Sequence, residues 1–348
     1  MMKMTFRWYG DHDPVTLDKI RQIPGMYGIV SSLHDIPAGE VWPEERIIEH
    51  KNKIEAAGLT FEVVESVPVH ESIKIGAPDR DQYIDNYCTT LRRLAKNGVK
   101  VVCYNFMPVF DWMRSELNHK LPDGSEALIY VDEIAKTMNP LVADISLPAW
   151  ENYDKDELKA LLTKYQSVTE EDLWNNLKYF LEKVIKVCDE VKIKMAIHPD
   201  DPPWSIFGLP RIIVDETNLD RFLNLVPSVN NGLTLCSGSL GVNPKNNIPE
   251  MIRRYGDRIH FMHARNIKIT GERCFEEAAH KSECGSLDMY EIIKALYDVG
   301  FDGYIRPDHG RMIWGETGQA GYGLFDRALG ATYLNGLYEA VVKNNSEK

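Results

Sequence analysis

Four residues able to bind a divalent metal sit at one kind of place in this chain. They are His198 in "MAIHPDDPP", Cys236 in "LTLCSGS", His263 in "HFMHARN" and Asp308 in "YIRPDHG". Each ends a short apolar run of β-forming residues. Taken singly, each has an ordinary reading. A strand histidine is usually a satisfied buried polar group, a free cysteine behaves as a small core residue, and an aspartate after a strand caps a turn. Their joint placement argues otherwise. Chance would scatter them over both ends and both faces of their strands. Alternation instead pairs Ala196 with His198, Thr234 with Cys236, Phe261 with His263 and Arg306 with Asp308, each pair on one face. A shared metal site follows. Histidine and carboxylate suit Mn²⁺ or Fe²⁺, whereas the thiolate pulls toward softer Fe²⁺ or Zn²⁺, so the donor types leave the metal open.

Acid–base and anion-binding groups lie close by in sequence. His309 directly follows Asp308, and Tyr322 sits in the Gly-rich "GQAGYGLFDRALG", a segment able to fold over a barrel mouth. Without those neighbours Tyr322 would pass for an ordinary loop aromatic. Arg306, Arg311, Arg265 and Arg7 all fall at or just after strand ends. A guanidinium there can clamp a carboxylate in bidentate fashion, although in so acidic a chain at least one should pair with Asp or Glu instead. Weaker signals remain. His260 lies on the opposite face from His263 and should pack against a helix. Cys274, His280 and Cys284 fit no structural zinc spacing and are expected to be reduced spectators. His34 and Asp35, in "SSLHDIPAGEVWP", either touch substrate or stay solvated.

Positioning these groups requires strands that end side by side. Eight β-rich runs occur: "TFRWYG", "GMYGIVSSL", "LTFEVVES", "VKVVCYNF", "KMAIHPD", "GLTLCSG", "RIHFMHAR" and "GYIRPDHG". Most follow a helix-stop glycine, as in "AAGLT", "KNGVK" and "DVGFDGY". The segments between them read as helices. Asp13-Pro14 should open one, with Pro at the first helical position. Residues 43–57 and 79–96 form others. The clearest begins at Thr169, with Leu173, Leu177, Phe180, Leu181, Val184 and Cys188 on one face. Strands alternating with helices give a parallel sheet, and eight units predict a closed α/β barrel, a single (β/α)8 TIM barrel in one domain spanning 1–348. No Gly-x-Gly-x-x-Gly follows the first strand, so a dinucleotide fold has no support. Nearly 90 residues separate strands four and five. That gap predicts a helical insertion at about 112–168, in a loop on the face where barrel enzymes keep their sites.

Composition narrows the partners. The net charge of -12 argues against a broad basic face for nucleic acid. No apolar run approaches the roughly 20 residues of a membrane span, and the N-terminus has no signal-peptide pattern. Six scattered cysteines in 348 residues do not make a disulfide framework and point to a reducing cytoplasm. A homodimer is the expected state of a soluble enzyme.

The opening "FRWYGDHDPVTLDKIRQIPGMYGIVSSLHDIPAGEVWP" resembles that of the bacterial mannonate dehydratases. So do "AIHPDDPPWSIFGLPRI", "LTLCSGSLG", "HFMHARNI" and "RPDHGRMIWGE", and the similarity spans nearly the whole chain. The resemblance implies a barrel related to the xylose-isomerase-like sugar enzymes. It implies dehydration of D-mannonate to 2-dehydro-3-deoxy-D-gluconate in glucuronate degradation, with Mn²⁺ or Fe²⁺ as cofactor. Carried over residue by residue, it implies His198, Cys236, His263 and Asp308 as ligands and His309 and Tyr322 as acid–base groups. Two other readings stay open on the residues alone: another metal-dependent sugar isomerase, hydrolase or sugar-acid dehydratase on the same barrel, or a sugar-acid sensor that kept the fold.

Overall fold

The computed structural model describes residues 2–141 and 153–346. Twelve strands occur among them, in chain order β1 (Lys3–Arg7), β2 (Gly28–Ser31), β3 (Thr60–Glu65), β4 (Val101–Tyr104), β5 (Glu116–Lys120) and β6 (Glu126–Val131). They continue as β7 (Lys194–Ile197), β8 (Asn231–Cys236), β9 (Ile259–Ala264), β10 (Ile267–Gly271), β11 (Cys274–Glu277) and β12 (Tyr304–Pro307). Eight of these close into a parallel barrel in the order β1-β2-β3-β4-β7-β8-β9-β12. They are the eight runs expected from the sequence. Their interior is plugged by Val30, Val63, Val101, Ala196, Phe261 and Tyr304, so the barrel has a packed core and only its mouth is open.

Amphipathic helices cover the outside. The helix Glu170–Val191 starts at a capping box, with the Thr169 and Asp172 side chains each bonding to the other's backbone N–H. Its buried face carries Leu173, Leu177, Phe180, Leu181 and Val184 as expected, and Phe180 meets Tyr87 of the helix Arg80–Lys96 edge-on at 5.1 Å. The first helix departs from expectation. It spans only Leu17–Ile20 and is capped by Thr16. Asp13 instead accepts from the backbone N–H groups of Tyr9 and Val15, closing a local turn that delays the helix.

The insertion after β4 is not all helical. It holds the helices Asp132–Thr137 and Lys155–Tyr165, but also the β5–β6 hairpin. Residues 142–152 of it lie outside the described residues. β6 pairs antiparallel with β11, which belongs to the loop after β9, giving a second sheet in the order β10-β11-β6-β5. This cap sheet has its own core, where Tyr130 stacks on Phe275 at 5.7 Å and Trp204 donates to the Tyr130 hydroxyl.

Candidate active site

Register builds the site. Cys236 of β8 sits opposite His263 of β9, and His263 sits opposite Arg306 of β12. His198 and Asp308 follow one residue after the ends of β7 and β12. All four expected ligands therefore meet at the carboxyl ends of their strands, with one donor atom of each within 4.8 Å of the others. His198 Nδ1 donates to the Pro199 carbonyl, which leaves Nε2 bare, 3.1 Å from His263 Nδ1. Arg306 Nε donates to His263 Nε2 at 3.1 Å, and Glu65 Oε2 lies 3.3 Å from the same nitrogen, which leaves Nδ1 as the ring nitrogen that faces the other donors. Asp308 Oδ2 is 3.9 Å from that Nδ1 and 3.5 Å from Cys236 Sγ. Ser239 donates to the same sulfur through its backbone N–H and its hydroxyl. Metal–donor bonds of about 2.0–2.3 Å place neighbouring donors about 3–4 Å apart, so this set fits a divalent cation.

Charge supports the fit. Burial opposes ionisation of Asp308, but the guanidinium groups of Arg306 and Arg265 overcome it and hold the carboxyl well below its usual range. A second group of donors, Glu65, Cys103 and His263, also lies close together. It does not suit a cation. Arg306 already donates twice to Glu65, at 3.1 and 2.9 Å, and burial pushes the Cys103 thiol well up.

His309 and Tyr322 form a pair beside the ligands, with His309 Nε2 2.7 Å from the Tyr322 hydroxyl. Both are buried. They line a cavity of about 230 Å³ together with Arg7, Tyr9, Glu65 and His198. Trp112, from the insertion, lies edge-on to the His309 ring at 5.2 Å. His34 also lines the cavity, and burial pushes its ring down to about 3, so it is a neutral hydrogen-bonding group there. Asp35 instead pairs with Arg46 in a half-exposed bridge.

The four arginines divide. Arg7 lines the cavity, makes no ion pair among the described residues, and keeps Nη1 buried without a hydrogen bond. Arg306 and Arg265 also line it, but their charge is committed. Arg306 pairs with Glu65 and with Asp308 at 2.8 Å, and Arg265 pairs with Asp201 at 2.8 Å and Asp308 at 3.3 Å. Arg265 can approach because residue 238 is glycine, where a Cβ would collide with its guanidinium. Arg311, also expected as a substrate contact, stands apart from the other three. It lies outside the cavity lining, bound to Asp326 at 3.0 Å and Asp123 at 2.8 Å.

Glu65, Arg114, Asp201 and Glu277 were not singled out from sequence. Glu65 ends β3 as the ligands end theirs, so the same strand-end reasoning would have found it. Arg114, Asp201, Arg265 and Glu277 interlock as a buried lattice of alternating charge. Arg114 reaches Asp201 at 2.9 Å and Glu277 at 2.8 Å. His260 is buried on the outer side of β9, and burial lowers it to about 3. Among the described residues, no metal-competent cluster includes Cys274, His280 or Cys284.

A closed parallel barrel with a His–Cys–His–Asp donor set and an adjoining His–Tyr pair has the groups that metal-assisted proton transfer on a small polar substrate would need. Residues 2–348 match the model of the family described as D-mannonate dehydratase (UxuA), and the chain belongs to that family. It is 60% identical to mannonate dehydratase 2 of Halalkalibacterium halodurans, over 98% of this chain and 99% of that protein. It is 58% identical to the mannonate dehydratase of Thermotoga petrophila, over 98% of each. The crystal structure of mannonate dehydratase from Streptococcus suis serotype 2 superposes with a TM-score of 0.93 at 49% identity, covering 99% of this chain and 96% of that one.

Proposed function

We propose that this protein removes water from D-mannonate to give 2-dehydro-3-deoxy-D-gluconate, in the degradation of glucuronate, using Mn²⁺ or Fe²⁺. The observation that carries the reading is the meeting of the four-donor set, the His309–Tyr322 pair and Arg7 in one small cavity, in a chain of this family. In the reaction the C2–H bond breaks and its electrons form C2=C3. The C3–O bond breaks, and that oxygen takes a proton and departs as water. The enol left behind ketonises to the 2-keto-3-deoxy acid. The C2 proton is weakly acidic because the adjacent carboxylate is already negative, and hydroxide leaves poorly. A base, an acid and an offset for charge are therefore all required. When bound, the divalent ion would supply Lewis acidity toward the substrate carboxylate or a hydroxyl. His309 and Tyr322 divide the roles of base and acid, and Arg7, the uncommitted arginine, pairs with the substrate carboxylate. Arg306 and Arg265 keep Asp308 ionised and in place.

Incubation of Mn²⁺- or Fe²⁺-loaded protein with D-mannonate and D-altronate tests this. The keto-deoxy acid should form from mannonate. A ketose formed from an aldose, or mannonate binding without turnover, would overturn the reading in favour of an isomerase or a sensor. We also infer a cytoplasmic homodimer. Six free cysteines and an exposed Trp314–Phe325 pair support it. Among the described residues no helix is long and apolar enough to cross a membrane.

A further inference from the structure

Glu277 closes β11 in the cap sheet, and its carboxylate is fully buried. Oε1 lies 3.1 Å from His309 Nδ1, on the opposite side of the ring from the Nε2 that meets Tyr322. Arg114 donates to the same oxygen at 2.8 Å, and Arg265 Nε stands 3.4 Å from Oε2. Burial opposes charge on Glu277, but Arg265 and Arg114 overcome it and hold the carboxyl down at about 2. It is an anion and can only accept. We propose that Glu277 is a positioning residue that fixes neutral His309 as its Nδ1–H tautomer, leaving Nε2 bare as a proton acceptor toward Tyr322 and the cavity. Tyr322 complements this, because burial pushes its hydroxyl well above the usual range and keeps it a donor. The arrangement follows the logic by which a buried carboxylate orients a catalytic imidazole. Its kinetic consequence rests on the dehydratase reading, whereas the tautomer is a property of the free protein.

The tautomer is read from long-range ¹H–¹⁵N spectra of metal-free protein labelled at histidine nitrogen, at alkaline pH, with the His309 signals identified by their loss in His309→Gln. An Nδ1–H pattern is expected, and an Nε2–H ring overturns the proposal whatever any variant does. In kinetics with D-mannonate, Glu277→Gln should lower kcat about 100-fold or more, while KM and metal content change less than about threefold. Glu277→Asp should recover part of the loss. Unchanged kcat in Glu277→Gln overturns the proposal. If Glu277→Gln does not fold, the wild-type spectrum and Glu277→Asp still decide. Wild-type protein inert toward D-mannonate would sink the dehydratase reading and leave the spectrum to judge Glu277.

Discussion

The barrel strands and the cap sheet both send charged side chains to one cavity, by different means. The barrel works by register. Parallel neighbours bring Cys236, His263 and Arg306 level, and His198 and Asp308 follow just past their strands. What it presents is a set of acceptors with a cation-sized gap between them. The cap works by long-range pairing. Arg114, just before β5, meets Glu277, at the end of β11, 163 residues later. What it presents is a lattice of alternating charge that meets the cavity through His309, on Glu277, and through Asp308, on Arg265. On the proposed reading the barrel supplies binding and reaction, and the cap supplies orientation. Changes on the two sides should fail in different ways.

His263→Ala is the sharpest break on the barrel side. It removes one of the four proposed ligands, the one level with both Cys236 and Arg306. Turnover of D-mannonate should fall about 1000-fold or more, and bound metal measured by elemental analysis should fall with it. The fold should persist, since the strands around His263 keep their pairing. Full metal content in this variant would mean that the donor set lies elsewhere.

Arg114→Met is the matching break on the cap side, and its main cost is stability. Arg114 is fully buried between Asp201 and Glu277, so its loss leaves both carboxylates short of a partner. Removing one member of a buried charge network costs about 3–5 kcal/mol, to be read from denaturant unfolding. Metal content should stay near the wild-type value, because Arg114 touches none of the four ligands. A loss below about 1 kcal/mol would mean that water or rearrangement already compensates those charges.

The contrast also explains what the sequence disclosed. Barrel strands are short, locally apolar and punctuated by glycine, and a residue at a strand end has its place at the mouth written in its position. The meeting of His198, Cys236, His263, Asp308 and His309 at one mouth was legible for that reason. The cap was not. β5 reads "ELNHK", polar except for Leu117, so its alternation of exposed and half-buried positions has no matching apolar–polar pattern in the residue types. Its partner β6 finds β11 only through pairing across the fold, which no local pattern encodes. The partners of the arginines were hidden for a related reason. Spacing showed that Arg306, Arg265 and Arg311 lie near strand ends, but not which carboxylate each would meet. That depends on Glu65, Asp201, Asp123 and Asp326, all distant or ambiguous in sequence.

Arg311 tests the boundary between the two regions, with the smallest effect. Its guanidinium binds Asp326, at the start of the last helix, and Asp123, in the β5–β6 turn. It thus ties the cap hairpin to the barrel's final loop. The Asp326 contact is largely buried, while Asp123 is more than half exposed, so solvent screens the second pair strongly. Arg311→Lys keeps the charge but loses the two-pronged geometry. It should cost about 1 kcal/mol, with KM for D-mannonate unchanged and a small fall in kcat as the cap loosens around His309. A raised KM at unchanged stability would put Arg311 on the substrate after all. It would also dissolve the division of labour, since a residue that ties the cap to the barrel would then bind substrate.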